Sequence, residues 1–168
     1  MKHREGGCLC AALRYQALGE PIRVTICHCR FCQRATGGAY MVEPIFRCDD
    51  VRVTKGASTV YALPSAGSGK IVRVNFCNVC GTKIYLTFER FPGFLGVYAG
   101  TFDDPDWIEV GPGNAKQIFM DEARPDTIVM PRIDAYCRHT MLNDGSPTKA
   151  FTVDQPRPVG RRRAAVND

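Results

Sequence analysis

Nine cysteines stand in a chain of 168 residues, and seven of them fall in three tight runs. Cys27-His28-Cys29-Arg30-Phe31-Cys32 places three thiols within six residues, spaced C-x-C-x-x-C. Cys77-Asn78-Val79-Cys80-Gly81 is C-x-x-C-G, and Cys8-Leu9-Cys10 is C-x-C. Thiolates are soft ligands, and a closed structural zinc site takes four donors of this kind. Two residues between thiols allow a tight turn whose backbone N–H groups face the sulfurs, and the glycine that follows accepts a positive φ. Cys8, Cys10, Cys77 and Cys80 make one complete set of four. Cys27, Cys29 and Cys32 then remain as a set of three, with the fourth position on an ion supplied from elsewhere or left open. Spacing alone leaves another grouping available, in which Cys29 and Cys32 join Cys77 and Cys80. Three thiols so close in sequence converge most simply on one ion, so Cys27, Cys29 and Cys32 are kept together.

A metal ion held by three thiolates can accept a substrate thiol, lower its pKa and present the thiolate to an electrophilic carbonyl carbon. Three anionic ligands also weaken the Lewis acidity of the ion, which favours thiol delivery over hydrolysis. Arg30 and Arg34 flank the cluster and are candidate contacts for a carboxylate-bearing thiol, with solvated surface charge as the plainer reading. His28 sits between two ligands. On extended backbone its side chain points away from them, which makes it a supporting group or proton shuttle rather than a ligand. Cys48 and Cys137 have no close partner and read as packing residues, with completion of the three-thiol site as the alternative. Gly67-Ser68-Gly69-Lys70 lacks the first glycine and the final Ser/Thr of a phosphate loop, so it is read as a hairpin loop and nucleotide binding is rejected. Asp103, Asp104 and Asp106 read as turn residues.

The elements that must position these residues are short strands. Gly6 to Ala17 is expected to open as a turn and strand, with Cys8 and Cys10 on one side. Ile22 to Cys27 is a second strand that runs into the central cluster. Arg30 to Ala35 is one short helical turn ended by Gly37-Gly38. Ala39 to Phe46 is a strand in which Pro44 suggests an edge or bend. Further strands are expected at Val51–Thr54, Ser58–Leu63, Ile71–Phe76, Lys83–Phe88, Phe94–Ala99 and Gln117–Met120. The second and third of these six segments bracket a long turn and form a hairpin, Ser58–Leu63 against Ile71–Phe76. No segment keeps a 3.6-residue period over three turns, so the fold class is all-β with short helical turns.

Residues 1–136 are read as a single zinc-binding β domain, and 137–168 as a polar, Arg-rich C-terminal tail that is flexible or docks on a partner subunit. The formal net charge is +5. Seven thiolates on two zinc ions add seven negative and four positive charges and bring that +5 down to +2. Part of the remainder lies in the tail, at Arg157 and Arg161–Arg163. Nucleic-acid binding is therefore not favoured, although the pI is about 8.8. No apolar run reaches the roughly 18 residues of a membrane span. The opening residues lack a signal-peptide core, so a cytoplasmic location is expected, and in a reducing compartment the clustered cysteines favour metal over disulfides.

The ordered set C-x-C, C-H-C-x-x-C, C-x-x-C-G resembles the family of the glutathione-dependent formaldehyde-activating enzyme and centromere protein V. Gly6-Gly7 before Cys8, Gly67–Lys70 shortly before the C-x-x-C turn and Phe76 before Cys77 agree with it. The resemblance runs from Gly6 to Met120. It implies a β-tent, small sheets leaning together and pinned by zinc. It implies two Zn2+ per chain, one structural on Cys8, Cys10, Cys77 and Cys80 and one catalytic on Cys27, Cys29 and Cys32. The activity it implies is a carbon–sulfur lyase reaction, formation of S-hydroxymethylglutathione from formaldehyde and glutathione. Centromere protein V keeps a second expectation in view, a non-catalytic zinc module that binds a macromolecular partner. Self-association into a homo-oligomer is left open.

Overall fold

The computed structural model of the chain describes residues 2–160. These residues fall into two units, 2–25 with 42–110, and 26–41 with 111–160. Across the described residues strands far outnumber helices, as the all-β expectation requires.

The first unit holds β1 (His3–Gly7), β2 (Arg14–Leu18), most of β3 (Arg23–Cys27) and of β4 (Met41–Arg47), then β5 (Val51–Lys55), β6 (Ser58–Pro64), β7 (Ile71–Cys77), β8 (Lys83–Phe88) and β9 (Phe94–Val97). β1, β2 and β5 form a three-stranded sheet in that order, and β4, β9, β8, β7 and β6 lie side by side in a second. The period-2 pattern explains which faces are buried. In β8, Ile84 and Leu86 point to the core while Lys83, Tyr85 and Thr87 are only half-buried. In β2, Tyr15 and Ala17 do the same. Their core also takes Leu13, Phe46, Leu95, Val97 and Phe102, together with the sulfur-bearing residues Cys8 and Cys77. The Tyr15 ring meets Phe102 edge-on at 5.4 Å. Its hydroxyl lies 2.9 Å from Thr101 Oγ1, which meets the polar demand of a buried phenol.

The expected hairpin of β6 and β7 is present, antiparallel from Ser58↔Cys77 to Pro64↔Ile71. Two local expectations are corrected. Residues 8–13 are the turn between β1 and β2, not part of a strand, so Leu9 does not alternate inward with Leu13. Leu9 is 90% exposed and Leu13 1%. The turn is shaped by sulfur, because the Leu13 N–H donates to Cys8 Sγ at 3.2 Å, and Ala11 takes a φ of 56° to close it. Pro44 marks no sheet edge, for β4 lies between β3 and β9 and Pro44 is fully buried within it. Pairing of β4 with β9 begins at the next residue, Ile45↔Gly96, so the missing proline N–H is not needed.

The second unit contains α1 (Arg30–Thr36), β10 (Ala115–Ile118), β11 (Ile128–Val129), β12 (Asp134–Ala135) and β13 (Arg157–Pro158). β10 and β12 pair in parallel, and β11 pairs antiparallel with β13. Met120, Ala123, Val129 and Ala135 form its core, and Phe151, Val153 and Val159 pack on it. The described part of the expected tail contributes backbone and side chains to this unit. Phe151 exchanges two backbone hydrogen bonds of 2.8 Å with Ala135, and the Arg132 N–H donates to Val153 O at 2.8 Å. Three apolar side chains among the polar residues supply the reason, since they complete a core that 120–135 leaves open. Arg161, Arg162 and Arg163 lie outside the described residues.

Candidate metal centres

Four sulfurs meet in the first unit. Cys8 and Cys10 come from the β1–β2 turn, and Cys77 and Cys80 from the β7–β8 turn. All four Sγ atoms lie within 4.8 Å of one another. Cys8 and Cys10 are 3.5 Å apart, and Cys10 and Cys77 3.8 Å. A disulfide would need about 2.05 Å. Tetrahedral thiolates on one zinc ion, each at about 2.3 Å, stand about 3.8 Å apart, so the spacing fits a metal. Each turn is folded around its sulfur. The Val79 N–H points at Cys77 Sγ at 3.4 Å, and the Gly81 N–H returns to Cys77 O at 2.9 Å. Gly81 sits at φ +72°, the conformation its glycine was expected to supply.

Protons are unequally shared among these thiols. The Thr82 hydroxyl, 3.1 Å from Cys80 Sγ, leads the contacts that bring the Cys80 thiol down to about 5. The Ala12 N–H favours ionised Cys10, but the Cys8 and Cys80 sulfurs outweigh it and push that thiol up to about 11. Burial opposes ionisation of Cys8, yet the Leu13 N–H and the Cys10 and Cys77 thiols hold it below its ordinary value. Negative charge on one sulfur raises the cost of charge on the next, which is the electrostatic setting a divalent cation relieves.

Three sulfurs meet in the second unit, where Cys27 ends β3, Cys29 caps α1 and Cys32 lies in its first turn. They too lie within 4.8 Å of one another, with Cys27 and Cys29 3.4 Å apart. Cys29 has extended backbone, φ −63° and ψ 156°, and its Sγ accepts the Cys32 N–H at 3.4 Å. The thiol therefore does the work of a serine or aspartate N-cap. α1 stops at Gly37, φ 71°, whose N–H donates to Gln33 O. The Cys27 and Cys32 thiols stabilise the Cys29 thiolate and bring Cys29 down to about 3. The same neighbours, Cys27 first, push Cys32 up.

Among the described residues no fourth His, Cys, Asp or Glu donor joins these three. Cys48 is half-buried against the core of the first unit, the packing role expected of it. Cys137 is exposed, which overturns the packing role expected of it. His28 lies between two of the sulfur residues but is outside the sulfur group. It is 1% exposed, its ring packs 5.2 Å from that of Tyr40, and neither ring nitrogen has a hydrogen-bond partner. Burial brings it down to about 4, so the imidazole is neutral at pH 7. Arg30 and Arg34 are exposed one turn apart on α1. The Arg30 guanidinium is engaged with Gln33 Oε1 at 2.5 Å. Asp103 pairs with Arg14, and Asp104 Oδ1 caps the Asp106 N–H at 3.1 Å, in line with their turn reading.

Sequence reasoning passed over Thr82, Gln33 and Glu122. Thr82 follows the C-x-x-C-G run directly, and its hydroxyl also accepts the Leu9 N–H at 3.2 Å, tying the two turns together. A hydroxyl residue next to the run was the available signal. Gln33 is buried and follows Cys32, but Glu122, which meets Arg30 and Gln33, is 89 residues away from Gln33. Nothing local marks it.

The model of the glutathione-dependent formaldehyde-activating enzyme family matches residues 3–122, a span that contains all seven clustered cysteines. The chain is 27% identical to an uncharacterized lyase of Schizosaccharomyces pombe over 100 residues, 58% of this chain and 69% of the relative. A crystal structure of a Rhodobacter sphaeroides protein matches with a TM-score of 0.49 at 22% identity, covering 67% of this chain and 98% of the other. With well over half of the chain matched by the family model, the protein belongs to the glutathione-dependent formaldehyde-activating enzyme family.

Proposed function

We propose that the protein is a zinc-dependent carbon–sulfur lyase that handles thiol adducts of small carbonyl compounds, with glutathione and formaldehyde as the first pair to test. The observation that carries this reading is the three-sulfur group without a fourth protein donor among the described residues. Zinc held there by Cys27, Cys29 and Cys32 would supply the charge that favours the thiolate form of an incoming thiol. The reaction joins sulfur to the carbonyl carbon, and the thiol proton ends on the carbonyl oxygen as the new hydroxyl. The reverse breaks the same bond.

The chain's own residues divide the remaining work. Cys29 caps α1 through its sulfur, so helix and ligand are placed by one contact. Arg34, exposed on α1, and Arg30 offer positive charge to the carboxylates of a glutathione-like thiol. His28 stays neutral and buried with neither ring nitrogen hydrogen-bonded, which supports a role in packing and leaves proton transfer to solvent or substrate.

Zinc on Cys8, Cys10, Cys77 and Cys80 would be structural. It pins the turn of the β1–β2–β5 sheet to the β7–β8 turn of the other sheet, which fits a β-tent within the first unit. The absence of a disulfide among the nine cysteines, all of which lie in the described residues, suits a reducing compartment such as the cytoplasm.

Exchange between formaldehyde, glutathione and their adduct, followed by NMR with two zinc ions loaded per chain, tests the reading. Acceleration above the spontaneous exchange, lost in Cys29→Ser, is expected. No acceleration by the fully loaded protein would remove this substrate pair.

A further inference from the structure

We infer that Gln33 is a positioning residue for the three-sulfur group, its side-chain amide locking the Cys27–Cys29 backbone to the helix that carries Cys32. The inference rests on the reading that this group holds a metal ion.

Gln33 is a buried polar residue, 5% exposed, one position after Cys32. Its amide Nε2 donates to His28 O at 2.5 Å and to Glu122 O at 2.9 Å. Its Oε1 accepts from Arg30 Nη1 at 2.5 Å. Both donors and the acceptor are therefore used, which is what a buried amide requires. The partners matter more than their number. His28 O belongs to the one residue between Cys27 and Cys29. The N–H of that residue is held too, by Ile118 O at 3.0 Å. With both polar groups of His28 tied, the backbone between the two sulfurs cannot rotate without breaking a buried hydrogen bond. Cys32 is tied to the same framework through α1, because the Gln33 N–H donates to Cys29 O at 3.0 Å.

Glu122 supplies the other side of the clamp. Its Oε2 accepts the Arg30 N–H at 2.7 Å, at the first residue of α1. Glu122 ends a 3-10 turn, Met120–Glu122, that follows Phe119 at φ 61°, an uncommon conformation for a bulky residue. The turn is anchored by Met120 N–H to Tyr136 O and Asp121 N–H to Cys137 O, each 3.0 Å. Gln33 thus reads the position of a remote segment and transmits it to the spacing of the sulfurs. Ligand groups held by such outer contacts keep the geometry an ion needs.

The two sulfur groups provide an internal control. Protein stripped of metal would first receive one equivalent of zinc and then be titrated with Co2+, read through the visible cobalt–thiolate bands. For Gln33→Met, which keeps length but offers no hydrogen bond, cobalt affinity should fall roughly 10- to 100-fold, with altered band positions. Zinc should remain at one per chain, and the circular dichroism should match the parent. Gln33→Glu, which keeps the acceptor and loses both donors, should show the same selective loss and serves if the methionine variant does not fold. Unchanged cobalt affinity and bands in either folded variant would overturn the inference. So would equal weakening of both centres, which would make Gln33 a general support of the fold. A parent protein that takes up no second ion would overturn the metal reading itself, a result visible before any variant is made.

Discussion

Cys80 and Cys32 both close a C-x-x-C turn, yet their surroundings drive the two thiols in opposite directions. The Thr82 hydroxyl beside Cys80 brings it down to about 5. The Cys27 and Cys29 sulfurs push Cys32 up. The difference comes from neighbours, since one sulfur gains a neutral donor and the other faces competing acceptors. Asp103 offers a pH test outside the metal groups. The Arg14 guanidinium holds its carboxyl below the ordinary value. A depressed folded pKa means that the stabilisation is present above the unfolded value, about 3.9, and is lost as pH falls through the folded one. The side chains are 26% and 51% exposed, so solvent screening limits the pair to about 0.2–1 kcal/mol. Asp103→Asn should lower the urea midpoint by a matching amount at pH 7, and the gap should narrow as the pH drops below about 4. A gap that widens on acidification would refute the pairing.

At the scale of elements, α1 is too short to stand by propensity and depends on its two ends. Cys29 begins it through sulfur and Gly37 ends it at φ 71°. A side chain at position 37 would meet nothing within 4 Å, so its cost is conformational alone. Gly37→Val should destabilise by roughly 1–2 kcal/mol in chemical unfolding, and Gly37→Asn by less, because asparagine visits the left-handed region more readily. Equal stability of the valine variant and the parent would show that the cap does not hold the helix end. This element was legible beforehand, since a helical turn from Arg30 ended by Gly37-Gly38 follows from local signals. The β1–β2 turn was not. Leu9 and Leu13 share the alternation of a strand, and only the convergence of sulfurs and N–H groups around Cys8 turns that stretch into a loop.

For the whole molecule, the two sulfur groups lie each within one unit and differ by one donor. On the zinc reading they should release metal differently. A competing chelator followed by a colorimetric indicator should remove one zinc per chain quickly, with no change in far-ultraviolet circular dichroism. The second should leave slowly and with loss of structure, because four thiolates tie two sheets of the first unit together and such sites contribute directly to folding. A single release phase for both ions would contradict the division into catalytic and structural centres. Residue type and spacing determined by themselves that seven thiols are grouped, that strands dominate and that one short helix follows the central run, because those depend on neighbours in the chain. The tertiary structure decided which runs share a centre, that Cys48 and Cys137 stay outside the three-sulfur group, and that residues 137–160 complete a core. It also brought Glu122 to Gln33 across 89 residues. Those outcomes depend on which distant segments pack together, and a hydrogen bond between remote segments leaves no spacing in the sequence to read.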